Sequence, residues 1–241
     1  MALEPRQRTI SLGTQADSRA DIDEGLRRYM LRVYNYMALG VALTGVVAFA
    51  VASSPAALEF IFGNTLMHWV VMLAPLGFVL VLSFGLHKLS TPATQVLFWA
   101  FAGAMGLSLS SIFIVYTGAS IARVFFITAS AFAALSLYGY TTKRDLSGMG
   151  TFLFMGLIGI IIASLVNLFL QSGMMHFIIS VVGVLVFAGL TAYDTQNIKS
   201  EYLVSDSGEI AEKKAISGAL RLYLDFINMF IMLLSLFGNR E

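Results

Sequence analysis

The longest charge-free run in the chain is too long to be one membrane-crossing helix. Residues 146–193 contain no Asp, Glu, Lys or Arg over 48 positions. As a single helix the run would extend about 72 Å at the usual rise of about 1.5 Å per residue. This is more than twice the roughly 30 Å of a bilayer core. The run must therefore fold back on itself, and Gln171-Ser172-Gly173 is its polar break.

The same pattern along the whole chain predicts seven transmembrane helices. Each is an apolar stretch of about 20 residues, the length that crosses a bilayer. The predicted crossings are Val33–Ala52, Trp69–Leu86, Val96–Tyr116, Ile121–Tyr140, Gly150–Leu170, Met174–Asp194 and Ala219–Phe237. Pro75 predicts a kink or an opened turn in the second crossing. The seventh carries Arg221 and Asp225, so it either spans the membrane or enters and leaves by the same face.

The composition is that of a membrane protein. Hydrophobic residues make up 58% of the chain and charged residues 12%, whereas soluble domains carry about 25% charged residues. The mean hydropathy is +0.81. We therefore predict an all-α membrane protein, in which residues 1–29 form a polar cytoplasmic tail and residues 30–238 a seven-helix transmembrane bundle. The absence of cysteine excludes disulfides, thiolate metal sites and cysteine nucleophiles.

The basic residues predict the orientation of the bundle. If the N-terminus is cytoplasmic, thirteen of the fifteen Lys and Arg residues lie on the cytoplasmic side, and only Arg123 and Arg240 lie outside. This distribution follows the positive-inside rule. The basic residues form no polar run interleaved with aromatics, so a nucleic acid is not expected as a partner.

Two acidic residues at the ends of apolar segments are the candidate functional residues. Asp194 ends the sixth predicted crossing, and Asp225 is the seventh residue of the seventh. Ionisable groups in a membrane are costly and are usually functional. If the two helices run in opposite directions, both carboxylates lie at a similar depth, near the cytoplasm, and face one another.

Other polar residues support this arrangement. Arg221, Asp225 and Asn228 are spaced i, i+4 and i+7, so they share one face of a helix. A helix that is otherwise apolar all round is expected at the centre of a bundle. Thr191, one turn before Asp194, adds to a matching polar face on the sixth helix.

The two aspartates predict a pH-sensing, ion-gating carboxylate pair. Two carboxylates in a low-dielectric site do not both ionise cheaply, so the pair is expected to hold a proton at mild acidity. Without that proton, Asp194 and Asp225 are candidate contacts for Ca²⁺, which prefers oxygen ligands. In the alternative interpretation, Asp225 simply pairs with Arg221 and Asp194 caps the sixth helix. An acid at a helix C-terminus opposes the helix dipole, which weakens the capping interpretation.

Several motifs together are typical of one family. They are Ser110-Ser111-Ile112-Phe113, Val115-Tyr116-Thr117, Tyr140-Thr141-Thr142-Lys143-Arg144-Asp145, Ala192-Tyr193-Asp194-Thr195-Gln196 and Leu222-Tyr223-Leu224-Asp225-Phe226-Ile227-Asn228. Over nearly all of residues 30–238 the chain resembles the Bax inhibitor-1 family, specifically its bacterial branch. The resemblance implies six helices around a central seventh, an inner-membrane location, and a pH-sensitive Ca²⁺ leak controlled by the matching pair Asp194 and Asp225.

The chain departs from that family in one respect. In some members an arginine of the second helix engages the aspartates, and the second segment here contains no Arg. Either Arg221 engages the aspartates instead, or other contacts stabilise the closed state.

Three functions follow from these expectations. The first is a passive, proton-regulated Ca²⁺ leak in membrane lipid, without a cofactor and without enzyme activity. The second is an intramembrane aspartyl protease, although no glycine pair precedes Asp225 as that class requires. The third is a regulator of other membrane proteins. Bacterial relatives are associated with a membrane-anchored ATP-dependent protease, and the N-terminal tail is the predicted contact.

Overall fold

The protein is built from α-helices. The computed structural model describes residues 5–85 and 88–240, with side chains described from residue 22 onward. The helices are α1 (Pro5–Ala52), α2 (Pro55–Phe62), α3 (Thr65–Gly85), α4 (Thr91–Leu109), α5 (Ile112–Val115), α6 (Gly118–Thr141), α7 (Ser147–Leu170), α8 (Gly173–Ser200) and α9 (Gly208–Phe237). Leu86, the predicted last residue of the second crossing, lies outside the described residues.

Seven segments are long and apolar enough to cross a membrane, which confirms the predicted number. The first comprises Ile22–Ala52 of α1, and the third combines α4 and α5 as Thr91–Val115. Ser110 and Ser111 separate α4 from α5. The Ser110 hydroxyl donates to the Leu107 carbonyl at 2.7 Å and so satisfies a carbonyl at the helix end. α3 continues through Pro75 without a break.

The helices extend beyond the predicted crossings at their charged ends. α8 runs to Ser200, so the predicted end of the sixth crossing at Asp194 is wrong, and Asp194 does not cap the helix. α9 begins at Gly208 rather than at Ala219. Hydropathy locates the apolar part of a helix, whereas the charged turns outside it also form helical hydrogen bonds.

The first helix passes through the predicted tail. α1 runs without a break from Pro5 across residue 30, the predicted boundary between the tail and the membrane domain. Residues 1–4 lie outside the described residues, as do the side chains of residues 5–21. The predicted contact of this tail with a membrane protease therefore falls largely outside the described residues and stays a prediction.

α9 is the central helix, as predicted. It packs against α1, α4, α6 and α8, whereas α3 packs on α4 and α7 packs on α8. Buried positions recur along α9 from Ala215 to Leu234 and cover more than one of its faces. Phe226 of α9 contacts the rings of Phe125 and Phe132 of α6 at centroid distances of 5.6 and 5.5 Å. Four helices thus enclose α9 directly, and α3 and α7 form an outer layer.

α9 crosses the whole bundle, which supports the spanning prediction over the re-entrant one. Near its start, Lys214 pairs with Asp206 at 2.7 Å. Just after its end, the Asn239 backbone amide donates to the Ser120 hydroxyl at 2.9 Å. Ser120 lies in the first turn of α6, far from the end of α6 at Thr141. The start and the end of α9 therefore lie at opposite ends of the bundle.

We call one end of the bundle the basic end, because it carries Lys143, Arg144, Lys199 and Lys214. The opposite end carries Thr117, Ser120 and Asn239. Lys199 of α8 donates to the Tyr140 carbonyl of α6 at 2.8 Å, which joins these two helices at the basic end.

Glycine allows two close contacts between helices. A Cβ on Gly106 of α4 would lie 2.8 Å from the Thr44 carbonyl oxygen of α1, and a Cβ on Gly139 of α6 would clash with the Ala192 carbonyl of α8. Gly106 therefore allows α4 to approach α1 closely. Gly103, also in α4, has open space beside it.

Candidate functional site

A cavity of about 490 Å³ lies between α7, α8 and α9. It is as large as typical ligand pockets, which span about 300–1,000 Å³. Its polar lining contains four of the five predicted site residues, Asp194, Arg221, Asp225 and Asn228. We call it the aspartate cavity. The predicted polar stripe of α9 therefore faces α8 and the outer helix α7.

The two aspartates meet in this cavity. The Asp194 and Asp225 carboxyl groups both line the cavity and are close enough to interact directly. Asp225 is only 5% exposed, and its Oδ2 has no hydrogen-bond partner among the described residues. A buried acceptor without a partner is costly, and two facing carboxylates repel each other. The arrangement can relieve both costs by sharing a proton or by attracting a cation.

The pair is not a closed metal cage. Among the described residues, no group of three or more acidic, His or Cys side chains is placed to hold a metal ion. Ca²⁺ takes six to eight oxygen ligands, and waters supply those that the protein does not. An ion at Asp194 and Asp225 would therefore keep much of its water.

Arg221 forms its ion pair with Glu201 and not with Asp225. Its Nη2 donates to both Glu201 carboxylate oxygens, at 2.6 and 2.8 Å. Its Nε is buried without a partner among the described residues. The interpretation in which Asp225 merely neutralises Arg221 is therefore wrong. When both aspartates are ionised, three carboxylates surround one guanidinium, and the site is acidic.

The two remaining predicted residues lie in different environments. Asn228 lines the aspartate cavity, and its amide nitrogen donates to the Leu224 carbonyl of its own helix at 2.8 Å. Thr191 is fully buried and does not line this cavity. Its hydroxyl donates to the Phe187 carbonyl at 2.8 Å, again within its own helix. Asn228 thus belongs to the site, and Thr191 supports the backbone of α8.

Comparison with known proteins identifies the family. The model of the family described as Inhibitor of apoptosis-promoting Bax1 matches residues 26–241, a range that includes the whole aspartate cavity. The chain belongs to the Bax inhibitor-1 family. The resemblance predicted from the motifs is therefore confirmed. Among these motifs, Ala192–Gln196 and Leu222–Asn228 supply the two aspartates that meet in this family member.

Bacterial relatives are similar over nearly the whole chain. The inner membrane protein YbhL of Escherichia coli K12 is 50% identical over 229 residues, covering 94% of this chain and 98% of the relative. An uncharacterized protein of Rickettsia prowazekii (strain Madrid E) is 50% identical over 228 residues, covering 95% and 96%. A Caulobacter vibrioides protein is 46% identical over 235 residues, covering 92% and 94%.

In this Bax inhibitor-1 family protein, three cavities follow one another along α7. A cavity of about 280 Å³ at the basic end, lined by Asp145 and Asn197, shares Tyr193 with the aspartate cavity. A third cavity, of about 400 Å³, shares Asn228 with it and continues past Met232. The series therefore leads from the basic end past the aspartate pair into the second half of the bundle.

Sequence reasoning missed two residues of the site. Gly150 of α7 lies against the Tyr193 ring, so closely that a Cβ there would clash with it. Glu201 holds Arg221. The charged stretch after Asp194 showed that an acid was available for Arg221. Spacing could not tell which acid it would be, because the contact depends on how α8 and α9 pack.

Proposed function

We propose that this protein is a pH-sensitive Ca²⁺ leak rather than an enzyme, with Asp194 and Asp225 as its gate. The aspartate pair carries the proposal: two carboxyl groups lie within reach of each other beside the central helix, and one has a buried oxygen without a described partner. Ionisable groups at such places in membrane proteins usually mark ion or proton pathways.

The shared proton sets the state of the gate. At mild acidity one proton held between Asp194 and Asp225 makes a hydrogen bond that joins α8 to α9. As the pH rises this proton is lost, and the two carboxylates repel each other. The repulsion separates the two helices at this point. The leak therefore opens with rising pH and closes with falling pH.

The open gate favours a hard cation. Asp194, Asp225 and Glu201 then surround the single guanidinium of Arg221 with three negative charges. Ca²⁺ as the permeant ion finds carboxylate oxygens at the pair and an amide at Asn228, where the next cavity begins. The polar cavity at the basic end supports a hydrated route to the pair, whereas the cavity on the other side is lined mainly by Leu and Ile.

We assign the basic end to the cytoplasmic side of an inner membrane. The excess of Lys and Arg at this end fits the positive-inside rule, and the relative YbhL is named an inner membrane protein. The cavity at the basic end is lined by the exposed residues Lys143 and Asp145. Cytoplasmic pH would therefore set the protonation of the pair.

Calcium flux in liposomes tests the proposal. The full chain is reconstituted around a Ca²⁺ dye, and influx is measured from about pH 6 to about pH 8. Wild-type influx should rise with pH, by no more than about tenfold per unit if one shared proton is lost. Asp194→Asn and Asp225→Asn should each abolish this dependence, because an amide cannot lose the proton.

A surface acid provides the matched control. Glu59 is exposed on α2, away from the aspartate cavity, so Glu59→Gln should retain the wild-type pH profile. An absence of wild-type flux at every pH would refute the leak. A pH dependence that survives in both Asn variants would refute the aspartate gate.

A further inference from the structure

A second large cavity lies outside the aspartate site, between α1 and α6. These two helices do not pack against each other along their length, although both pack against α9. The space between them is a groove of about 720 Å³. Its floor includes Met37 of α1, Phe132 of α6 and Phe226 of α9, all buried. Its rims include Leu31 and Leu137, which are about half or more exposed on the outside of the bundle.

The groove has the length of one bilayer leaflet. On α1 it extends from Arg27 to Ala42, and on α6 from Phe125 to Tyr140. Either interval is about 22 Å at about 1.5 Å per residue. Half of a bilayer with its headgroups is about 20–22 Å thick. The groove therefore covers about one leaflet from the basic end, and beyond it a small cavity of about 80 Å³, which shares Phe125 and Phe226 with the groove, continues between α1 and α6.

The mouth of the groove, at the basic end, carries one charged lining residue, Arg27. Arg27 lines the mouth, with its side chain 66% exposed. Glu24 contacts both Arg27 and Arg28, at 3.4 and 3.1 Å, so one carboxylate faces two guanidinium groups. On the α6 side, the Lys199 ammonium lies 4.9 Å from the ring centroid of Tyr140, another lining residue. This charge is complementary to an anionic lipid headgroup.

One polar atom lies just below the mouth. Ser136 is a lining residue of the groove and is only 5% exposed, and its buried hydroxyl has no hydrogen-bond partner among the described residues. It lies one helical turn from Tyr140, about 6 Å deeper along α6. The ester carbonyls of a phospholipid lie directly below its phosphate, so a lipid in the groove would place an acceptor at the depth of Ser136.

We propose that the groove between α1 and α6 binds one anionic phospholipid from the leaflet at the basic end. Its phosphate contacts Arg27, an ester carbonyl accepts from Ser136, and an acyl chain covers Phe132 and Phe226. This site is separate from the aspartate cavity and does not depend on the proposed leak.

Native mass spectrometry of the delipidated, full-length protein tests this site. Phosphatidylglycerol and phosphatidylcholine with identical acyl chains serve as probes. Wild-type protein should retain one phosphatidylglycerol at collision energies that remove phosphatidylcholine. Arg27→Gln should reduce the retention of phosphatidylglycerol several-fold, to the level of phosphatidylcholine. Ser136→Ala should reduce the retention of both lipids.

Two neighbouring alanines provide a matched pair. Ala133 lines the groove, whereas the adjacent Ala134 is exposed but does not line it. Ala133→Trp should fill the groove and abolish retention, and Ala134→Trp should retain lipid as the wild type does. If Ala133→Trp fails to fold, the Arg27→Gln and Ser136→Ala variants still test the proposed lipid site. The proposal would be overturned if all folded variants retained lipid equally, or if wild-type protein retained the two lipids equally. It would also be overturned if the protein formed a dimer without bound lipid.

Discussion

At the scale of single residues, a buried pair of hydroxyl groups joins the central helix to its neighbours. The Thr44 hydroxyl of α1 lies 2.6 Å from the Tyr223 hydroxyl of α9 and also contacts the Ala102 carbonyl of α4 at 2.8 Å. Tyr223 is fully buried. This one threonine therefore provides the polar contact that joins three helices inside an apolar core.

Thr44→Val should destabilise the bundle by about 1–3 kcal/mol, because it leaves the Tyr223 hydroxyl buried without a partner. Thermal unfolding in detergent measures the effect. Thr128→Val is the matched control, since the equally buried Thr128 hydroxyl contacts only the Val124 carbonyl of its own helix. An equal loss of stability in the two variants would contradict this role of Thr44.

Residue patterns located the acids of the site but not their surroundings. Asp194 and Asp225 stand out because a charge beside or within an apolar run is visible along the chain. The i, i+4, i+7 spacing also placed Arg221 and Asn228 on the face that lines the cavity. The role of Glu201 depends on how α8 and α9 pack against each other, which spacing within one helix does not encode.

At the scale of helices, hydropathy found the crossings but misplaced several ends. α8 and α9 both extend into charged turns, and the short α2 lies where a loop was expected. The break between α4 and α5 also escaped prediction, because serines in an apolar helix usually satisfy their own backbone. Where a helix ends depends on local hydrogen bonds. A count of apolar residues does not detect these bonds.

Two glycines of α4 test the packing of this helix on α1. Gly106→Ala should destabilise the protein by about 1–3 kcal/mol, since the added methyl group overpacks the contact with Thr44 and Val47. Gly103→Ala, with open space beside it, should be neutral or stabilising by up to about 1 kcal/mol, because alanine favours the helix. Thermal unfolding of both variants checks the difference. Equal melting temperatures would show that α1 moves to accommodate the methyl group.

At the scale of the whole molecule, the start and the end of α9 lie at opposite ends of the bundle, so we expect them on different sides of the membrane. The chain has no cysteine, so single cysteines can be introduced at the exposed positions Ser205 and Arg240. An impermeant maleimide applied to spheroplasts should label Arg240→Cys directly and Ser205→Cys only after permeabilisation. Labelling of both from the outside would mean that the segment re-enters, and the reverse pattern would invert the proposed orientation.

The central position of α9 has a consequence for how the protein is made. Of the described helices, α9 leaves the ribosome last, after the four helices that enclose it. Until it enters the membrane, the faces of α1, α4, α6 and α8 that bury it are open to lipid. The native bundle is therefore completed only late in translation. A stop codon before Gly208 would remove the core of the protein rather than trim its edge.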